Sequence, residues 1–529
     1  MTEQNIDAHG TPLGDEEGEL RRSLSNRHIQ LIAIGGAIGT GLFMGAGKSI
    51  SVAGPSILLV YATIGVMLFF VMRAMGELLL HNLNYKSFQD FAADLLGPWA
   101  GFFVGWTYWF SWVVIGVADI IAITGYWQFW LGEDRQGLAA AFAIIVMFVL
   151  LLMNLATVRL FGEIEFWFAI IKLVAIVALV VVGIVMIFSG FTSPNGTEAT
   201  VTHLWEHGVM PNGWMGFVGG FQLAVFAFVG IELVGTTAAE TANPRVTLPR
   251  AINAIPIRVL LFYVVALATI MSITPWDQIN PETSPFVRLF SLAGFVSAAW
   301  VMNAVVMSSA ASSCNSGIYS TSRMLFGLAY KGMAPRIFAK LSRGGVPWVG
   351  LILPVAIICI SRMLMLSEGV VQAFTMVTTV ASVLFIFVWT IILVSYIVYR
   401  RRYPEANRTS EYRMPGGSFM PWVVLAFFVF VIYALLTESD TRTALAVTPI
   451  WFILVGAAWY FVRNRVGGRG DGSVGATGPL PSSGGTGATR PFSNEAASSH
   501  ERDRERFGPH GERSGSALKD ERPGSAWND

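Results

Sequence analysis

Ile34-Gly35-Gly36-Ala37-Ile38-Gly39-Thr40-Gly41-Leu42-Phe43 is the stretch on which the reading of this chain turns. It sits inside an apolar run, near residues 28–48, that is long enough to cross a hydrocarbon core. Residues 35, 36, 39 and 41 are all glycine. Glycine weakens a helix and lets the backbone leave α geometry. Backbone polar groups freed at membrane depth are tolerated only beside protein or a watery cavity. The stretch therefore predicts a broken helix whose second half starts near Thr40. That end offers free N–H groups and a positive dipole, which suit a carboxylate. The first half ends in free carbonyls, which suit an ammonium. One break thus presents complementary ends to a zwitterion. A small-residue packing face would not need glycine at this density.

Composition agrees with a membrane setting. Of 529 residues, 54% are hydrophobic and only 13% charged, too few to cover a soluble protein of this size. Twelve apolar runs are expected near 28–48, 53–80, 101–130, 139–157, 163–189, 214–238, 255–274, 290–326, 348–365, 371–399, 419–436 and 445–462, with the ninth and eleventh short. Met1–Glu19 is polar and acidic, so insertion by the chain's own helices is expected rather than by a cleaved signal. Residues 1–26 read as a disordered cytoplasmic arm, 27–463 as the transmembrane domain, and 464–529 as a disordered Gly/Ser/charged tail.

With a cytoplasmic N-terminus, the inside loops collect Arg21-Arg22, Arg245, Arg250, Lys331, Arg336 and Arg400-Arg401-Arg402. The outside loops hold only Lys48, Arg135, Arg288, Arg362 and Arg442. This is the positive-inside pattern, and it puts both termini in the cytoplasm. A net charge of +1 gives no sign of a nucleic-acid partner. Cys314 and Cys359 form no disulfide framework or metal-ligand pattern, and neither cofactor nor metal is expected. Arg469-Gly470-Asp471 and Asn195-Gly196-Thr197 match short adhesion and glycosylation patterns, and both are read as chance.

The sixth run repeats the theme of the first: Phe226-Ala227-Phe228-Val229-Gly230-Ile231-Glu232 places a glycine and a carboxylate mid-membrane. Breaks in the first and sixth spans, five helices apart, are what a five-plus-five inverted repeat would produce, with the site at the midplane. Intramembrane charges are costly and usually functional. Lys172 in the fifth span and Glu232 in the sixth are read as proton-coupling or gating groups, or as buried structural ones. Asp119 is read as structural, Arg73 and Glu77 as a helical i,i+4 pair, and Glu163 and Glu165 as solvated at the inner interface. Ser308–Ser313 is read as small-residue helix packing or as a hydroxyl-lined site. Trp99, Trp106, Trp109, Trp112, Trp127 and Trp130 frame the third span, and most of them are read as interface-belt residues rather than ligands.

Ile34–Phe43, Arg73-Ala74-Met75-Gly76-Glu77, Phe226–Glu240 with Asn243-Pro244, and Asn315-Ser316-Gly317 with Ser322-Arg323-Met324 resemble the amino-acid permeases of the amino acid–polyamine–organocation superfamily. Tyr85-Lys86-Ser87-Phe88, Leu95–Gly101, Gly105–Phe110 and Leu248–Asn253 are similar to the branch that carries D-serine, D-alanine and glycine. The resemblance covers residues 20–463. It implies an all-α integral membrane fold: a five-plus-five core with discontinuous helices 1 and 6, plus two C-terminal helices. It implies substrate contacts at Ala37, Gly39, Thr40, Gly41, Phe226, Val229 and Gly230. Thr40 and Gly41 fall where amides hold the carboxylate, Ala37 and Val229 where carbonyls hold the ammonium, and Phe226 where an aromatic ring covers the substrate. Lys172 falls where proton-coupled members place a lysine and sodium-coupled relatives an ion. Glu232 and Glu240 match carboxylates implicated in binding or gating.

The expected activity is proton-coupled import of small neutral amino acids across the cytoplasmic membrane by alternating access. The partners are the amino acid, a proton and the bilayer; no nucleophile–base set, metal cluster or phosphate loop suggests an enzyme. A permease of other side-chain specificity, a sodium-coupled carrier or exchanger, and a non-transporting sensor are the rival readings.

Overall fold

The computed structural model describes residues 38–467 except 86, 157, 195, 237–242, 295, 343–344 and 365–368. The described residues form helices and connections, with no strand beyond an isolated antiparallel bridge between Thr192 and Glu198. In chain order the helices are α1 (Thr40–Phe43), α2 (Gly45–Ala53), α3 (Ile57–His81), α4 (Phe88–Leu96), α5 (Pro98–Leu131), α6 (Gln136–Ala156) and α7 (Val158–Phe188). There follow α8 (Gly213–Ala224), α9 (Leu233–Thr236), α10 (Pro244–Asn253), α11 (Ile255–Val259), α12 (Ala266–Ile273) and α13 (Pro285–Leu292). The last six are α14 (Val296–Tyr330), α15 (Trp348–Leu364), α16 (Val370–Arg402), α17 (Pro404–Thr409), α18 (Met420–Leu435) and α19 (Ser439–Gly467).

Eight helical runs among the described residues are long and apolar enough to span a membrane, and α15 and α18 are shorter apolar helices, as expected for the ninth and eleventh runs. The serine-rich α14 covers the eighth run, and α1 with α2 covers the described part of the first, so each of the twelve expected runs has a helical counterpart. The eighth run starts later than expected: Pro285–Leu292 folds as a separate helix before α14 begins. The amphipathic α4 was not anticipated. Ser87 and Asp90 cap it reciprocally, each side chain accepting from backbone of the first turn.

Helices that are apolar on every face belong inside a bundle. The most apolar part of α5 is 89% buried, and α14 and α16 pack along it; the corresponding part of α19 is only 11% buried and lies at the periphery. Trp109 and Trp112 are buried against this interior and are not belt residues, whereas Trp99 is exposed. Arg362 is likewise not a loop residue. It is buried at the end of α15, where its Nε donates to Thr124 Oγ1 of α5 at 3.1 Å.

Arg73 and Glu77 do not pair with each other. Arg73 donates to Asn253 Oδ1 and to the Arg413 carbonyl and stacks on Tyr412. Glu77, fully buried, accepts from Tyr396 Oη (2.8 Å), Asn407 Nδ2 (2.6 Å) and the Met414 amide (2.8 Å). Helices α3, α16 and α17 and the loop at Met414 are thereby tied at one carboxylate. Such saturation is what a buried charge requires.

Candidate functional site

α1 begins at Thr40, with Gly39 in extended backbone before it, where the glycine-rich stretch places the start of the second half-helix; the first half lies outside the described residues. The N–H groups of Thr40 and Gly41, in the first turn, have no intrahelical acceptor. Helix 6 is broken. α8 ends at Ala224, a single 3₁₀ turn covers Phe226–Phe228, Val229 is extended, and Gly230 sits at φ +99°, where an L side chain is strained, before α9 begins. Tyr263 Oη donates to the carbonyl of Ala227 at 2.9 Å and so satisfies one backbone group released by the break.

The two breaks touch. A Cβ at Gly41 would lie 2.6 Å from Ala227 Cα and 2.9 Å from Phe226 Cδ1, so only glycine lets the two helices meet there. Phe226 is buried and meets Phe374 of α16 edge-on, with ring centroids 5.9 Å apart. Thr40, Gly41, Phe226, Val229 and Gly230 are therefore gathered at one place. Gly39 faces Ser313 of α14 at ordinary contact distance. Ala37 and Glu240 lie outside the described residues.

Lys172 joins this assembly from α7. It is fully buried; its Nζ donates to the carbonyl of Ile38 (3.1 Å) and to Ser312 Oγ (2.9 Å). Ser309 Oγ donates to the same Ile38 carbonyl at 3.1 Å. The carbonyl of Ile38, two residues before α1, is thus held by an ammonium and a hydroxyl. Ser312 in turn donates to Glu165 Oε1 (2.6 Å), and Asn315 Nδ2 donates to Glu165 Oε2 (3.3 Å). Asn154 Nδ2 of α6 closes the chain on Asn315 Oδ1 at 2.7 Å.

One carboxylate departs from the sequence reading. Glu165 is fully buried rather than solvated, and it shares the electrostatic environment of Lys172. The signal was present: residues 165 and 172 are seven apart, about two helical turns, and so share one face of α7. Asp119 is fully buried too, and its Oδ1 accepts from Thr40 Oγ1 at 2.7 Å. Nothing local to Asp119 marks that partner, which comes from 79 residues away. The serine run of α14 packs closely, and Ser309 and Ser312 also hydrogen-bond across helices, whereas Ser308 bonds back to its own helix at Val305.

Glu232, also fully buried, follows the helix-6 break. Its Oε2 accepts from the Gly230 amide at 3.2 Å, and its Oε1 receives a long bond, 3.5 Å, from Tyr108 Oη of α5. It therefore clasps the break of its own helix against the central helix. No group of three or more His, Cys, Asp or Glu side chains with metal-site spacing occurs among the described residues.

Two interrupted helices in contact, with buried charges gathered at one of the breaks, form the layout of secondary carriers whose site lies between discontinuous helices. The chain belongs to the amino acid permease family, whose model matches residues 28–466. It is a multi-pass membrane protein. It is 62% identical over 453 residues to the D-serine/D-alanine/glycine transporter of Escherichia coli (strain K12), a match that spans 85% of this chain and 95% of that one. It is 49% identical over 455 residues to the amino-acid permease AapA of Bacillus subtilis (strain 168), covering 85% of this chain and 97% of the relative. The probable threonine/serine transporter YbxG of the same bacterium is 40% identical over 451 residues, covering 84% and 95%.

Proposed function

We propose that this permease imports small neutral amino acids, D-alanine, D-serine and glycine, together with protons, by alternating access across the cytoplasmic membrane. The observation that carries the coupling is the Lys172 ammonium seated on the Ile38 carbonyl at the helix-1 break. A cation there stabilises the carbonyl end of the first half-helix. Loss of its proton removes that support and lets the break rearrange, which ties substrate release to deprotonation. The N–H groups of Thr40 and Gly41 bind the substrate carboxylate, the carbonyls of Ala37 and Val229 bind its ammonium, and Phe226 closes over it. Gly39 and Gly230 supply the backbone freedom at the two breaks. Glu232 holds the helix-6 break and gates it, with Glu240 as a second gating carboxylate.

The substrate class rests on the printed name of the 62% identical relative. The 40% identical relative carries a different printed substrate, so the shared fold leaves the side-chain pocket free to vary. Residues 27–463 are taken as the carrier, with both termini in the cytoplasm, on the distribution of arginine and lysine. The solute crosses unchanged.

Uptake of labelled D-alanine into proteoliposomes, with and without an inward proton gradient, tests this reading. Gradient-dependent uptake blocked by excess D-serine and glycine is the expected result. Uptake that requires sodium, or that proceeds only against internal amino acid, would overturn the coupling. Uptake of other amino acids but not D-alanine would overturn the substrate class. Binding without uptake would make the protein a sensor.

A further inference from the structure

A cavity lies far from the contact between Gly41 and Phe226. Arg400 follows Phe374 by 26 residues on the continuous helix α16, roughly 39 Å at ~1.5 Å per residue. There, between the end of α16, α17 and the start of α18, a cavity of about 270 Å³ is lined by Arg400, Arg401, Asn407, Arg408, Arg413 and Trp422 among others. Four of its lining side chains are guanidinium groups and none is acidic. The carboxylate behind its wall, Glu77, is fully taken up by Tyr396, Asn407 and the Met414 amide. Glu405, exposed, lies 3.5 Å from Arg408. Arg400 lies over Tyr396, and its Nη1 is enclosed with no hydrogen-bond partner. A buried unpaired donor is costly, and guanidinium forks match the oxygens of a phosphate.

The surroundings say which phosphate. Trp422, which lines the cavity, is 55% exposed, and Phe419, just before α18 begins, is 72% exposed. From Trp422, an exposed stripe continues through Ala426, Val429 and Tyr433, spaced to fall on one face of α18. An indole at a helix end marks the headgroup level of a bilayer, and the apolar stripe below it fits acyl chains. A basic pocket at the end of spanning helices, with an apolar track leading from it, matches an anionic lipid rather than a soluble anion.

We infer that this cavity binds the phosphate headgroup of an anionic phospholipid, whose acyl chains lie along the Trp422–Tyr433 face of α18. The full-length protein in detergent can be titrated with phosphatidylglycerol, with phosphatidylcholine and with inorganic phosphate, and read by native mass spectrometry and melting temperature. The wild type should retain phosphatidylglycerol, but not phosphatidylcholine, and melt higher with it. The double substitution Arg400→Gln/Arg408→Gln should weaken that retention by roughly fivefold for each arginine removed. Arg442→Gln, outside the cavity, should leave it unchanged. If the double variant does not fold, Arg408→Gln alone, an exposed position, carries the same test. Equal retention of phosphatidylcholine, or unchanged phosphatidylglycerol retention in the variants, overturns the inference. A melting rise of the same size with inorganic phosphate alone assigns the cavity to a free anion and overturns the lipid.

Discussion

Lys172 Nζ donates to the carbonyl of Ile38, 134 residues earlier in the chain, at 3.1 Å. The bond couples the fifth span to the break in the first, and it makes Lys172 the residue whose removal is most informative. Lys172→Ala should cut proton-driven accumulation of D-alanine by roughly 5- to 150-fold, the range for a lost coupling of about 1–3 kcal/mol. Exchange of internal for external substrate should survive better than accumulation. Full proton-driven accumulation in this variant would remove the coupling role.

Thr40 spends its hydroxyl on Asp119, leaving its amide for substrate. Thr40→Val leaves a buried carboxylate oxygen without its donor, at a cost of about 1.5–3 kcal/mol for a bond to a charged group. The KM for D-alanine should rise and the melting temperature fall, while Thr40→Ser restores both. If Thr40→Val transports with unchanged KM and melts like the wild type, the Thr40–Asp119 bond does not position the site.

Gly41 and Gly39 should behave differently although they are two residues apart. A methyl at Gly41 meets the backbone of Ala227 at 2.6 Å, which no side-chain rotation relieves; a methyl at Gly39 meets only Ser313 Oγ, at 3.7 Å. Gly41→Ala should therefore destabilise by about 1–3 kcal/mol through overpacking and depress uptake. Gly39→Ala should fold like the wild type. Thermal melts of the two variants side by side decide the point.

Glu165 holds Ser312 and Asn315 with its two oxygens. Glu165→Ala strands both donors and removes a charge near Lys172, and it should lower stability by about 1–3 kcal/mol for each donor left unsatisfied. Glu165→Gln keeps the shape and should recover much of the stability while still impairing coupling. A Glu165→Ala protein that melts and transports like the wild type would show this network to be dispensable.

The helical architecture was legible in the sequence because membrane helices satisfy their backbone locally, so length and apolarity are enough to place them. The helix start at Thr40 was legible for the same reason: glycine density acts on the backbone where it stands. Arg73 and Glu77 show the limit of that reasoning, since their i,i+4 spacing permits a pair and yet each is drawn to partners at least 180 residues away. Glu165 was misplaced because position along a span does not say which neighbour faces it.

By itself, the sequence determined that this chain crosses a bilayer about twelve times, that its first and sixth spans are interrupted, and that a lysine lies buried in the fifth. Tertiary structure alone decided that Gly41 meets Ala227, that Thr40 bonds Asp119, and that Lys172 is shared between Ile38 and Ser312. The physical reason is one of range. Helix length and backbone freedom are properties of neighbouring residues, whereas a buried polar group takes whichever partner the packing of distant helices brings within hydrogen-bond reach.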